Sequence, residues 1–179
     1  MSRVAVVGLG NILVGDDAFG PYVVRQFGAR YDVGDEVRVL DLGTPGLDLA
    51  PHLDGLDALI VVDTVSADSP AGTLRTYRKQ ELLARPTPSR TNPHQPGVKE
   101  TLLMLELEGA GPAEVLLVGV VPERMETGVG LSQALRDAVP DAMARVAHEL
   151  ARLGHPATRR EVARDPDIWW ERPRRVANA

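Results

Sequence analysis

Residues 4–20 read VAVVGLGNILVGDDAFG, and their reading decides the fold. A run of β-branched and apolar residues stops at Gly8. It passes into a glycine-rich turn holding Gly10, Asn11 and Gly15, then two adjacent acids, Asp16 and Asp17. An apolar strand, a glycine turn and a helix start make the opening unit of an α/β sheet. Ligands of such sheets sit outside the carboxyl ends of the strands. A carboxylate in this first turn therefore points to where chemistry occurs. The helix is expected over about 17–29. Pro21 is tolerated only in its first turn, which makes Asp16 the expected N-cap, and Val23, Val24 and Phe27 give it an apolar face.

The remainder alternates strands and helices. EVRVLD (36–41) is a second strand that ends in Asp41, followed by the turn LGTPG and a short helix over 47–53. DALIVVD (57–63) is the most hydrophobic strand, hence central, and ends in Asp63. GTLRTYR (72–78) alternates like an edge strand. Residues 84–97 carry four prolines and no periodicity; a loop this long in a compact domain invites a functional reading, and it contains His94. A helix over 98–108, a buried strand over 114–122 stopped by Pro122, and a helix over 131–153 complete the order. Pro140 is expected to kink or divide that last helix, and Gly154 to end it. This order predicts a three-layer α/β sandwich, with a twisted, mostly parallel five-stranded sheet between helices. Residues 1–154 form the domain. Residues 155–179 form an arginine-rich tail carrying Trp169 and Trp170, read as a mobile terminus, with the sharper alternative that the tryptophans fold back or anchor a partner.

Composition narrows the chemistry. The 179 residues include no cysteine, which removes disulfides, thiolate nucleophiles and thiolate metal sites. Any metal must use histidine or carboxylate. The net charge of -5 argues against general nucleic-acid binding. No apolar run approaches the roughly 18 residues of a membrane helix. A strand begins directly after Met1, so no signal peptide is expected and the expected location is cytoplasmic.

Three chemical readings compete. A dinucleotide fingerprint would need a third glycine where Leu13 stands, although Asp41 ends the second strand as a ribose-binding acid would. No G-x-S-x-G elbow and no H-E-x-x-H is present. His52, His148 and His155 read as structural. Asp17, Asp63 and His94 each have a bland reading as helix-dipole acid, turn cap and solvated loop residue. Together, two acids closing strands at one sheet edge and a histidine in a long loop can make a divalent transition-metal site.

At these residues the chain resembles the maturation endopeptidases of nickel-iron hydrogenases. The likeness covers about residues 3–154 and rests on five motifs in order: GLGNILVGDDAFG (8–20), DLGTPG (41–46), LIVVDTV (59–65), NPHQPG (92–97) and LVGVVPE (117–123). It implies a twisted mixed sheet between helices. It implies that Asp17, Asp63 and His94 contact nickel and form the catalytic set, and that Asp41, with Asn11 and Gly43, serves substrate recognition. The first position is glutamate in some members and aspartate in others. Leu42 replaces a glycine often found in the second motif, while Gly43 and Gly46 remain for the turn. The implied activity is removal of a C-terminal extension from a nickel-loaded hydrogenase large-subunit precursor. In one version no metal is permanently bound, and nickel arrives with the precursor; in the other a divalent metal sits at Asp17, Asp63 and His94. A monomer is expected. A non-catalytic nickel-sensing chaperone of the precursor is the alternative. A peptidyl-tRNA hydrolase-like enzyme also opens with GLGN, but the following proline and later histidine–asparagine pair of that family are absent.

Overall fold

The computed structural model describes residues 3–84 and 97–172. Along the chain come β1 (Val4–Leu9), α1 (Phe19–Arg30), β2 (Tyr31–Asp32), β3 (Val37–Gly43), α2 (Ala50–Leu53), β4 (Ala58–Thr64), β5 (Leu74–Arg78), α3 (Lys79–Ala84), α4 (Val98–Leu107), β6 (Glu114–Val120), α5 (Gln133–Arg152) and β7 (Thr158–Arg159). Short 3-10 turns precede α1 and α2. The main sheet has the order β3-β1-β4-β6-β5. All pairings are parallel except β5 with β6. The three-layer mixed sheet is therefore as expected, with β4 at its centre and β5 as the antiparallel edge.

Every residue of β1 is buried, because both sheet faces are covered. Side chains alternate across a strand, so its residues divide between two cores. Val4 and Val6 join Ile60, Val118, Phe27 and Leu135 under α1 and α5. Ala5, Val7 and Leu9 join Leu59, Val61, Leu53, Leu82 and Leu102 under α2, α3 and α4. Continuous apolar runs rather than alternation are what a parallel strand buried on both faces requires.

The start of α1 lies directly on the strands. A Cβ at Gly8 would stand 2.3 Å from the carbonyl oxygen of Gly20, and one at Gly20 would stand 2.2 Å from that of Leu9. Only glycines allow this approach. Pro21 occupies the first turn of α1, where its missing N–H has no helical acceptor.

Three expectations are corrected. Asp16 does not cap α1: a 3-10 turn over Gly15–Ala18 leads into that helix, and neither segment has a side-chain cap. Pro140 does not divide the last helix, which runs unbroken over Gln133–Arg152. The proline removes one backbone hydrogen bond, at about 3 kcal/mol, but Leu135, Ala138, Val139, Ala142, Met143 and Val146 bury the helix on both sides of it. The tail, read as a mobile terminus, is laid on the body through residue 172. β7 pairs antiparallel with β2, the Arg164 N–H donates to the Ala29 carbonyl at 2.8 Å, and Ile168 and Trp170 are buried.

The β5 edge is fastened to α5 by Glu149, which is only 3% exposed. Both of its carboxylate oxygens accept from Arg78, and Arg152 donates to it from Nε at 3.1 Å and from Nη2 at 2.8 Å. Burial alone would push its pKa up. The hydrogen bonds from Arg152 and Arg78 outweigh this and lower it to about 2. A carboxyl depressed on folding stabilises the protein above its ordinary value of 4.5, and that stabilisation disappears as pH falls towards 2. Its size is on the order of 3 kcal/mol. Glu149→Gln is expected to lose stability of that order at pH 7 and much less at pH 2–3. Denaturant titrations at both pH values check this; an equal loss at both would refute the linkage.

Candidate active site

Three parallel strands, β3, β1 and β4, end side by side, and each delivers a polar group to the same edge. The turn after β1 is forced by Gly10, whose φ of +136° lies in the region that favours glycine. A Cβ there would also lie 1.7 Å from the Asp17 carbonyl oxygen. This close return lets the Asn11 N–H donate to Asp17 Oδ2 at 2.7 Å. The Asn11 side-chain oxygen accepts from the Leu13 N–H at 2.9 Å and holds the turn.

Asp17 and Asp63, two members of the expected set, are brought to one place. Thr64, next to Asp63 at the end of β4, donates its hydroxyl to Asp17 Oδ1 at 3.4 Å. Its N–H donates to Asp63 Oδ1 at 2.7 Å. Both aspartates are half-buried. His94 lies outside the described residues. Among the described residues, no three histidine and acidic side chains converge as a metal site. The two carboxylates supply hard anionic oxygens of the kind a divalent ion accepts. Two donors alone do not make a resident site, so a metal fit rests on His94 or on ligands carried by a substrate.

The residues expected to recognise substrate sit on the other side of β1. Asp41 accepts from Arg25 Nε at 2.7 Å through Oδ2 and from the Gly43 N–H at 3.2 Å through Oδ1. The Gly10 N–H donates to the Gly43 carbonyl at 2.8 Å. Asn11, Asp41 and Gly43 thus line one pocket, and Arg25, Trp169 and Trp170 join them there.

Asp16 serves as the anchor of this edge. It is fully buried. Its carboxylate accepts from the backbone N–H groups of Glu123, Arg124 and Ser132 at 2.8, 3.0 and 2.6 Å, and from the Ser132 hydroxyl at 2.9 Å. Burial acts to raise its pKa, but these donors, led by the Ser132 N–H, outweigh it and hold the carboxyl below its ordinary value. Ser132 is also the N-cap of α5, accepting from the Leu135 N–H. Asp16 therefore binds the first turn to the start of the last helix and fixes where Asp17 points.

With this geometry in view, the likeness to known proteins is informative. The sequence model described as hydrogenase maturation protease matches residues 21–149. The chain belongs to the hydrogenase maturation protease family. It is a peptidase. The hydrogenase 2 maturation protease of Escherichia coli is 35% identical over 164 residues, covering 91% of this chain and 99% of that protein. The hydrogenase expression/formation protein HoxM of Azotobacter vinelandii is 37% identical over 161 residues, covering 89% and 77%. The solved hydrogenase maturating endopeptidase HybD of E. coli superimposes with a TM-score of 0.81 at 33% identity, covering 88% of this chain and 98% of that one.

Thr64, Arg25, Ser132 and the tail tryptophans as pocket walls are the parts that sequence reasoning missed. The pair Trp169 and Trp170 was visible in the sequence. Nothing local marks Arg25 as the partner of Asp41.

Proposed function

We propose that this chain removes the C-terminal extension of a nickel-iron hydrogenase large-subunit precursor after nickel insertion, with nickel as the recognition element. The observation that carries the reading is the convergence of Asp17 and Asp63 at the carboxyl edge of the sheet, joined through Thr64. Nickel belongs to the substrate here. Asp17, Asp63 and His94 contact the ion that the precursor already holds, and this places the scissile peptide against the two carboxylates. Asp17 or Asp63 acts as general base: it takes a proton from water as the oxygen attacks the peptide carbonyl. The C–N bond then breaks, and the leaving amine receives the proton. Asp41, Asn11 and Gly43 hold the flanking peptide. The protein works in the cytoplasm as a monomer.

Incubation with nickel-loaded precursor, followed by mass measurement, tests this. Loss of a C-terminal peptide from the loaded precursor, and none from the nickel-free one, is the expected result. Equal cleavage of both would remove nickel from recognition. An unchanged mass with a stable complex would make the protein a chaperone.

A further inference from the structure

The tail adds a wall to the site. Asn11, Ile12, Arg25, Asp41, Trp169 and Trp170 are among the residues around a pocket of about 220 Å³ at the β1–β3 edge. That is below the roughly 300–1,000 Å³ of small-molecule sites, so it suits one side chain and not a cofactor. Asn11 joins it directly to the proposed catalytic edge through its N–H bond to Asp17. The tail residues on its rim lie outside the matched span of 21–149.

The wall is firmly held. Arg25 reaches over the buried Trp170 ring, 5.2 Å from its centre, while donating to Asp41 and to the Asp167 carbonyl. Glu171 pairs with Arg136 at 2.6 Å. Trp169 packs edge-on against Trp170 with centroids 5.8 Å apart, yet stays 53% exposed. A large aromatic fixed in place without being buried adds little to folding and much to a binding face. The charges in the pocket, Arg25 and Asp41, satisfy each other. Beside them the pocket presents the apolar surface of Ile12 and the indoles, while the buried Trp170 Nε1–H has no acceptor among the described residues.

We propose that this pocket is a peptide subsite that seats an apolar side chain of the precursor beside the catalytic carboxylates, with Trp169 as its specificity-determining wall. The inference rests on the processing reading above, and its test separates the two. Trp169 and Trp170 are the only tryptophans of the chain, so its emission reports on the pocket alone. The probe is a nickel-loaded large-subunit precursor from the same organism, with its own tryptophans replaced by phenylalanine. Binding is expected to shift the emission whether or not cleavage follows. Trp169→Ala is expected to raise KM at least about tenfold with kcat unchanged, and Trp169→Phe to restore it. Replacing the apolar residues flanking the cleavage point with Asp, one at a time, should at one position weaken the wild type tenfold and leave Trp169→Ala insensitive. A shift without cleavage upholds the pocket and overturns the processing reading. Cleavage without a shift, a loss confined to kcat, or equal sensitivity of both proteins at every position overturns the pocket. A shift driven by protein concentration alone would assign the pocket to a second copy of the chain and overturn it too.

Discussion

Asp17→Ala is expected to reduce processing of nickel-loaded precursor by about 10³-fold or more while leaving the fold intact. General base catalysis contributes about 10²–10⁴, and the same carboxylate is proposed to contact the substrate's nickel, so the two losses coincide. The cost in stability is small. Asp17 is half-buried, and its two acceptor bonds come from the Asn11 N–H and the Thr64 hydroxyl. A partly solvated donor that loses its partner costs about 1 kcal/mol. Asp17→Asn keeps the size and an acceptor oxygen but loses the charge, and it should be nearly as inactive. Asp17→Glu should retain measurable activity, since the charge remains and the turn has solvent on one side. The readouts are the mass of the precursor and a denaturant curve. Normal processing by Asp17→Ala would remove Asp17 from the catalytic edge, whatever the effect on stability.

The parts of this edge that were legible in the sequence are those set by local chemistry. The runs VAVVG, LIVVD and VLLVGVV announce buried parallel strands because both of their faces must be apolar. Gly8, Gly10 and Pro21 announce the turn and the helix start because their backbone constraints act within a few residues. Asp63 and Asp41 announce themselves at the ends of strands, and Asp17 in the turn between β1 and α1, since parallel strands deliver their ends to one edge. What was not legible depends on partners far along the chain. Asp16 read as a helix cap because a helix start is the nearest set of donors. Its real donors are more than 100 residues away. The tail read as mobile from its charge. Its arginines and acids instead find partners on the body, as Arg160 does with Asp32 and Glu171 with Arg136. Pro140 shows the opposite case: a strong local signal to break a helix lost to burial on both sides.

Asp16 and Asp17 are neighbours with opposite duties, and the sharpest test of that division is Asp16→Ala. This substitution is expected to cost about 3–5 kcal/mol in stability. The carboxylate is fully buried and accepts from three backbone N–H groups and one hydroxyl. Removing it leaves the Glu123, Arg124 and Ser132 N–H groups without this acceptor, at about 1–3 kcal/mol for each one that water does not reach. It also withdraws the connection between the first turn and α5. At 2–4 °C per kcal/mol for a chain this size, the melting temperature should fall by roughly 10 °C. Asp16→Asn is expected to fare little better despite its matching shape, because its amide nitrogen would face N–H donors. The wild-type contribution also has a pH signature. The folded carboxyl is held below its ordinary 3.8, so its stabilisation is present above that value and disappears as pH falls through the lowered one. Acid titrations of wild type and Asp16→Ala should therefore draw together as pH falls below 3.8 and through that lowered value. Well below its melting point, folded Asp16→Ala should retain more activity than Asp17→Ala, because the carboxylates proposed to be catalytic, Asp17 and Asp63, are still present. If Asp16→Asn melts with the wild type, the buried carboxylate is not what holds this edge together.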